Sequence, residues 1–338
     1  MNPAAKLSDT LLNASIKANA SDIHFYPFQT HTDIYFRVHG KRVMFQKIRM
    51  EQYQLLLTYY KFISRMDIGE SRKPQNGTLE HEAASKLFSL RISTLPLNNM
   101  ESMAIRILPQ DTTLTLEQLF LFPRQLDRIK QWISNRAGII LFTGPTGSGK
   151  TTALYALLES ILKEKSYQTI TLEDPIEKKM DNILQVQVNE KAGISYQTGL
   201  KAALRHDPDI IMVGEIRDKN TAKFAFEASL TGHLVLSTLH AKNAAGTIHR
   251  LVDMGIKRSD MKQSLIAVAA LELLPLQIYK ACRRAAILEL LEDEFLKGVI
   301  EGKEKNLDMF HSFEYLRKKA FAYGFISEEV YNSQQVKQ

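Results

Sequence analysis

Only one cysteine, Cys282, occurs in the 338 residues, which excludes an intramolecular disulfide and any zinc site built from several thiolates. It is expected as a small buried or half-buried side chain. No apolar run is long enough to cross a bilayer: the most apolar stretch, Leu265 to Leu276, falls short of the ~20 residues required and contains Glu272. Nor does an apolar signal core follow Met1-Asn2-Pro3-Ala4-Ala5-Lys6, because Asp9, Asn13 and Lys17 interrupt the pattern. A cytosolic chain is expected. Charge of one sign is nowhere concentrated: residues 1–120 carry 14 Lys and Arg against 11 Asp and Glu, leaving 30 against 26 in the remainder of the totals 44 and 37. The net charge of +7 therefore forms no basic tail or stripe, and direct binding to DNA finds no support in it. There is no internal repeat and no low-complexity segment. With 44% hydrophobic and 24% charged residues the chain is globular rather than disordered, and its length suits about two domains.

What is present is a glycine-rich run, Gly144-Pro145-Thr146-Gly147-Ser148-Gly149-Lys150-Thr151, which fits G-x-x-x-x-G-K-[ST]. It follows a strand-like stretch, Ile139 to Phe142, and precedes a helix-like one, Ala153 to Leu162. That context separates a phosphate loop from a chance glycine turn. Glycines let backbone N–H groups turn inward around phosphate oxygens. Lys150 then reaches the β- and γ-phosphates, Thr151 ligates Mg2+, and the first turn, through Thr152, adds the positive end of the helix. The chain is expected to bind a nucleoside triphosphate.

The region up to residue 108 alternates β-like runs (Asp33 to Val38, Lys86 to Ser93, Ser102 to Leu108) with helical ones (Ala4 to Ala18, Met50 to Met66), an α+β pattern. Gln75-Asn76-Gly77-Thr78 reads as a turn. Residues 109–123, with Pro at both ends and a Thr cluster, read as a linker into a second domain, 124–338. There the rhythm becomes strand, loop, helix, with strands at Gln168 to Leu172, Ile183 to Val188, Ile210 to Val213 and Leu234 to Thr238, and helices at Gln197 to Arg205 and Thr221 to Leu230. Short apolar strands alternating with helices predict a largely parallel sheet covered on both faces. After Ala244 the chain reads as mostly helical, with one β-like run, Ala286 to Leu291. The expected fold class is α/β: a P-loop (RecA-like) core with a parallel sheet, preceded by a small α+β domain and followed by a helical C-terminal region.

Ligands of such sheets bind beyond the carboxyl ends of the strands, and three polar clusters fall there. Thr171-Leu172-Glu173-Asp174-Pro175 puts adjacent carboxylates at a strand end, suited to Mg2+ directly or through water; a charged solvent-facing turn is the alternative. Ile210 to Val213 followed by Gly214-Glu215 resembles a Walker B strand, with Glu215 placed to orient or deprotonate the attacking water; a structural ion pair with a nearby Arg is the alternative. Thr231-Gly232-His233 and Ser237-Thr238-Leu239-His240 bracket a buried strand with two histidines, each a candidate γ-phosphate sensor and each equally a satisfied structural residue at a strand end.

Phosphate loop, acidic box, Gly-Glu Walker B and Thr-Gly-His box, in that order, resemble the secretion ATPase superfamily that powers type II secretion, type IV pili and competence pseudopili. The resemblance extends to the N-terminal region through Ala20-Ser21-Asp22-Ile23-His24, Phe36-Arg37-Val38-His39-Gly40, Leu90-Arg91-Ile92-Ser93 and Ile105-Arg106-Ile107-Leu108, and it is nearest to the competence branch. It implies ATP as nucleotide, Mg2+ as cofactor, and Glu173 and Glu215 organising metal and attacking water, with Asp174 beside them. It places His233 and His240 on the family's histidine box. It assigns Arg91, Arg106 and Arg217 to the nucleotide, and an arginine supplied in this way is worth roughly 10³–10⁵ in rate. It further implies homo-hexameric rings in the cytoplasm, peripheral at the inner face of the membrane, that act on an inner-membrane platform protein.

Three departures accompany the resemblance. The chain is too short at its start for the further N-terminal domain of many relatives. The four-cysteine zinc element is missing, so no zinc is expected. Where relatives commonly read Ala-Gln-Arg-Leu, this chain has Ala270-Leu271-Glu272-Leu273-Leu274-Pro275, so the basic contact that the resemblance implies in the C-terminal domain is not expected. The retraction-type helix Ala-Ile-Arg-Asn-Leu-Ile-Arg-Glu is not found between Lys280 and Gln338. An assembly motor is therefore expected, with a type II secretion or pilus motor, or a nucleotide-gated scaffold of little hydrolysis, as the other readings.

Overall fold

The computed structural model describes residues 2–38, 40–98, 100–110, 114–277, 283–303 and 310–335; Cys282, His39 and residues 111–113 of the expected linker lie outside them. The chain divides into two compact units, Met1–Thr113 and Leu114–Gln338.

The first unit runs α1 (Pro3–Lys17), β1 (Ala20–Pro27), β2 (His31–Val38), β3 (Lys41–Arg49), α2 (Met50–Ile63), β4 (Gln75–Ala83), β5 (Lys86–Leu97) and β6 (Met100–Pro109). Asn2 caps α1 by accepting the Ala4 N–H, and Pro3 supplies a preset first turn. Ala4, Ser8, Leu11, Leu12 and Ser15 then fall on one buried face at helical spacing. This face meets α2, where the Ser8 hydroxyl donates to the Tyr60 hydroxyl at 2.8 Å. The six strands form an antiparallel sheet in the order β3-β2-β1-β6-β5-β4, and alternate residues such as Ile23, Phe25, Ile34, Ile92 and Ile105 enter a core with both helices. The expected turn at Gln75-Asn76-Gly77-Thr78 is instead the start of β4. A Cβ on Gly77 would lie 2.7 Å from the Cβ of Ser64, so this glycine serves a close approach to the end of α2 and not a reversal of the chain.

The second unit contains α3 (Leu116–Leu119), α4 (Pro123–Trp132), β7 (Gly138–Thr143), α5 (Lys150–Glu164), β8 (Thr169–Glu173), β9 (Leu184–Gln187), α6 (Tyr196–Ala203), β10 (Ile210–Val213), α7 (Lys219–Leu230), β11 (Leu234–Leu239), α8 (Ala244–Asp253), α9 (Arg258–Ser264), β12 (Leu265–Leu276), β13 (Arg283–Glu292), α10 (Asp293–Glu301), α11 (Phe313–Ala322) and α12 (Glu328–Gln335). Its sheet has the order β13-β12-β7-β11-β10-β8-β9, parallel except for the antiparallel pair β12–β13. Every residue of β7 is buried, which is why its sequence is a continuous apolar run and not an alternation. Ile139 and Leu141 face one core with α7, α8 and α10, whereas Ile140 and Phe142 face the other with α4 and α5.

Two stretches differ from expectation. Of the segment expected to be a linker, Leu116, Leu119, Phe120 and Phe122 are buried side chains of the second unit. In the region expected to be mostly helical, Leu265–Leu276 is a strand paired with β7 on one side and with β13 on the other. A short run that is apolar apart from one Glu suits a buried strand as well as a buried helix, and periodicity cannot separate the two. The β-like run Ala286 to Leu291 is part of β13.

Candidate nucleotide site

The site forms at the carboxyl ends of β7, β11, β10 and β8. β7 ends at Thr143, whose hydroxyl donates to the Leu239 carbonyl at 2.9 Å and so ties the ends of β7 and β11 together. The chain leaves through Gly144 at φ +144°, where a Cβ would lie 2.6 Å from Ser148 Oγ and 2.7 Å from the Leu271 carbonyl oxygen. No larger residue fits between the loop and β12. Gly149, at φ +92°, opens α5. Pro145, Thr146 and Gly147 form an exposed tip, while Ser148 and Lys150 are buried, Thr151 is half-buried and Thr152 is exposed. The first amides of α5 have no acceptor within the helix and add its positive end to the loop. The buried Ser148 hydroxyl has no hydrogen-bond partner. An orphaned donor beside the unpaired first amides of a helix fits an oxyanion.

Lys150 Nζ donates to the carbonyls of Gly144 at 2.9 Å and Pro145 at 3.0 Å, and lies 3.4 Å from His240 Nδ1. Burial pushes its pKa below the ordinary lysine value, against the opposing pull of the Glu215 carboxylate. His240, just past β11, bridges two strand ends: Nδ1 is 3.2 Å from the Gly144 carbonyl and Nε2 is 3.2 Å from Glu215 Oε1. Glu215 follows Gly214 at the end of β10, and its Oε2 accepts from Arg217 Nε at 2.9 Å. Arg217 reaches on to Asp174 Oδ2 at 3.4 Å. The hydrogen bond that it donates to Glu215 holds the Arg217 guanidinium above its usual pKa. Lys150, His240, Glu215, Arg217 and Asp174 thus make one continuous polar line across the mouth of the loop.

Glu173 does not join that line. It is buried, and its carboxylate accepts from the Tyr155 hydroxyl, from Thr171 Oγ1 at 2.6 Å and from Gln185 Nε2 at 3.2 Å. Burial, with the Glu173 charge beside it, raises the Tyr155 pKa. Asp174, next in sequence, takes the outward position. His233 does not join either. It precedes β11 at the amino edge of the sheet, where Nδ1 contacts the Ala228 carbonyl and Thr231 Oγ1, both at 3.2 Å. At ~3.3 Å per strand residue it stands on the order of 20 Å from His240. The two histidines of one motif therefore occupy opposite ends of one strand, and of the two it is His240 that stands at the phosphate loop. Arg91 and Arg106 belong to the first unit, where they face each other across β5 and β6.

Sequence reasoning missed the partners on the β12 side. Beyond Pro145 and His240 lies a cleft of ≈ 680 Å³ lined by Lys242, Glu272, Glu289 and Arg317. Glu272, the acid where a base was expected, pairs with the buried Arg317 of α11 at 2.9 Å. Glu289 accepts the first amide of α8, Ala244, at 3.2 Å and that of α11, Phe313, at 2.7 Å, so one carboxylate caps two helices. Burial raises the pKa of both glutamates. A carboxylate in the middle of an apolar strand sequence was the available signal for both. Among the described residues no group of three or more His, Cys, Asp or Glu is placed to hold a metal ion, and no helix is long and apolar enough to cross a membrane.

The family model described as Type II/IV secretion system protein matches residues 1–312. The competence protein ComGA of Bacillus subtilis (strain 168) is 40% identical over 349 aligned positions, covering 98% of this chain and 98% of that protein. The type II secretion system protein E of Pseudomonas aeruginosa is 42% identical over 269 positions, covering 79% of this chain and 53% of its own length. Among solved structures, the pilus retraction motor PilT with bound ADP superposes with a TM-score of 0.76 at 27% identity, covering 95% of this chain and 94% of that one.

Proposed function

The chain belongs to the type II/IV secretion system protein family and is an ATPase, and from that premise we propose that it is the cytoplasmic motor that assembles a competence pseudopilus for DNA uptake. The near full-length similarity to ComGA supports the competence role over a type II secretion role, because the similarity to the secretion ATPase extends over about half of that protein. A hexameric ring, peripheral at the inner face of the membrane and working on an inner-membrane platform protein, is part of the same proposal.

The observation on which the chemistry rests is the line from Lys150 through His240 and Glu215 to Arg217. Lys150 binds the β- and γ-phosphates and exchanges its two loop carbonyls for phosphate oxygens, and the orphaned Ser148 hydroxyl and the α5 amides complete the cradle. Glu215 orients the attacking water and accepts its proton. His240, hydrogen-bonded between Glu215 and the loop carbonyl, makes the position of that carboxylate depend on the loop. Arg217 balances the charge of Glu215 and Asp174 until the triphosphate arrives. Mg2+, held by Thr151 and on the outer side by Asp174, would supply neutralisation of the developing phosphate charge. Glu173 supports that side from within by fixing the end of β8.

Phosphate release by the purified chain, alone and as Glu215→Gln, tests the proposal. Activity lost in the variant while nucleotide binding persists supports the motor. Equal and negligible rates in both leave a nucleotide-gated scaffold. Restoration of transformation by the wild-type gene, but not by the Glu215→Gln gene, in a strain lacking it tests the competence role.

A further inference from the structure

One register line crosses four strands of the second unit's sheet at the level of the phosphate loop. Leu239, the last residue of β11, faces Thr143, the last of β7; Thr143 faces Ala270 on β12, and Ala270 faces Glu289 on β13. Directly paired residues project from the same face of a sheet, and Leu239 and Ala270 enter the core shared with α8. Glu289 therefore enters that side of the sheet two strands from Thr143, on the order of 10 Å away at ~4.8 Å per strand. It stands level with the residues after which the chain turns into Gly144 and His240.

Glu289 is buried, and a buried carboxylate is costly unless its oxygens find donors. Oε2 accepts from the Ala244 amide at 3.2 Å and Oε1 from the Phe313 amide at 2.7 Å. These are the first amides of α8 and α11, which have no acceptor inside their own helices. Capping alone does not call for a carboxylate from a distant strand, because each helix carries its own cap: Asn243 accepts the Gly246 amide at 2.8 Å and Ser312 the Tyr315 amide at 3.4 Å. What Glu289 adds is a fixed distance between helix and sheet.

That distance bears on His240. Between the end of β11 at Leu239 and the start of α8 at Ala244 lie only His240, Ala241, Lys242 and Asn243, none of them in a strand or a helix. One end of this span is set by β11, the other by the bond from Ala244 to Glu289. The His240 carbonyl is held in addition by Arg250, from the last turn of α8, whose Nη1 donates to it at 2.7 Å. Where α8 stands therefore decides where the His240 backbone stands. Both ring contacts of His240, at 3.2 Å, lie at the outer limit of catalytic hydrogen-bond reach, ~2.6–3.2 Å, so a small displacement of the span breaks one of them.

We propose that Glu289 is a positioning residue for ATP hydrolysis: by fastening the start of α8 to β13 it holds His240 between the phosphate loop and Glu215. This rests on the reading of Glu215 as the base and of His240 as its link to the loop. A carboxylate fixed at the distance the transition state requires is ready before the nucleotide arrives, and Glu289 secures that distance from two strands away without touching the nucleotide.

The test is steady-state ATP turnover by the full chain, assayed well below the melting temperature recorded for each variant, for Glu289→Leu, Arg250→Gln, His240→Asn and the pairs Glu289→Leu/His240→Asn and Arg250→Gln/His240→Asn. Glu289→Leu keeps the bulk and removes both acceptors. It is expected to lower kcat about tenfold, less than the ~10²-fold that a 1 Å misplacement costs, with KM within about twofold of wild type because the loop that binds the phosphates is unchanged. Neither pair should be slower than His240→Asn alone, since both single changes act through that ring. Arg250→Gln, an exposed side chain whose loss spares the core, should lower kcat in the same direction, and it decides the matter if Glu289→Leu melts below the assay temperature. Wild-type kcat in a folded Glu289→Leu or in Arg250→Gln, with His240→Asn impaired, overturns the positioning role, as do multiplied losses in either pair. Wild-type kcat in His240→Asn or in Glu215→Gln is a separate outcome, which removes the underlying reading of the site itself.

Discussion

Nε2 of His240 stands 3.2 Å from Oε1 of Glu215, and the other nitrogen of the same ring stands 3.2 Å from the Gly144 carbonyl. A single imidazole thereby joins the end of β11, the end of β10 and the first residue of the phosphate loop. Substituting Glu215 with Gln keeps the shape and removes the base. Turnover should fall by about 10²–10⁴, while a fluorescent nucleotide still binds in a titration. Lys150→Ala should lose binding as well, and an unchanged nucleotide affinity in that variant would contradict the phosphate assignment.

The two histidines provide an internal comparison. His240→Asn should lower kcat by at least about tenfold, because it removes the link between loop and carboxylate. His233→Asn should leave kcat close to wild type and lower stability by about 0.5–1.5 kcal/mol, the worth of the hydrogen bonds at the amino edge of β11. Parallel turnover and urea-melting measurements separate the two; a dead but fully folded His233→Asn would reinstate it as a sensor.

Much of this site was legible in the sequence. The loop, the Gly214-Glu215 strand end and the presence of a largely parallel sheet follow from local patterns, because a strand buried on both faces and a glycine turn each leave a mark in consecutive residues. What could not be read is which way a side chain turns. Glu173 and Asp174 are adjacent acids, and only the pleat of β8 decides that the first is tied to Tyr155, Thr171 and Gln185 while the second faces Arg217. His233 and His240 look alike in a motif, yet the length of β11 sets them at opposite ends. β12 escaped because a short, nearly continuous apolar run suits a buried helix as well as a buried strand, and Gly77 escaped because a glycine needed for contact with Ser64 looks the same as one needed for a turn.

The turned-in position of Glu173 leads to its own expectation. In Glu173→Gln the amide nitrogen would face hydroxyl and amide donors in a buried pocket, so stability should drop by about 1–3 kcal/mol. Chemical denaturation measures this directly, and a variant as stable as wild type would show that the acid makes no net contribution there.

Gly144→Ala should be among the most damaging single-methyl additions in the second unit. Its Cβ meets both Ser148 Oγ and the Leu271 carbonyl, at a φ of +144° that other residues avoid. Backbone strain alone costs on the order of 1–3 kcal/mol. A lowered melting temperature together with lost nucleotide affinity is expected, and recovery of either alone would separate strain from clash.

Acid should loosen the first unit through Asp22. Burial pushes its carboxyl up, but hydrogen bonds from Arg106 and Ser21 and the nearby Arg106 charge outweigh this and hold it below the ordinary 3.8. A lowered folded-state pKa stabilises above the unfolded value and is lost as pH falls through the folded one. The melting-temperature difference between wild type and Asp22→Asn should therefore be full above about pH 5 and shrink below 3.8, the window set by that direction of shift. A difference that stays constant down to the lowest pH would assign it to packing.

The place of β7 in its sheet has a consequence for biosynthesis. The strand that delivers the phosphate loop is made early, but its neighbours on either side, β11 and β12, end at Leu239 and Leu276. A growing polypeptide that has just left the ribosome with residues 138–150 has no second edge to lean on and no wall behind Gly144. It cannot grip a nucleotide until over a hundred further residues have emerged, so a truncated product would be inert, with the apolar run of β7 left for chaperones to shield.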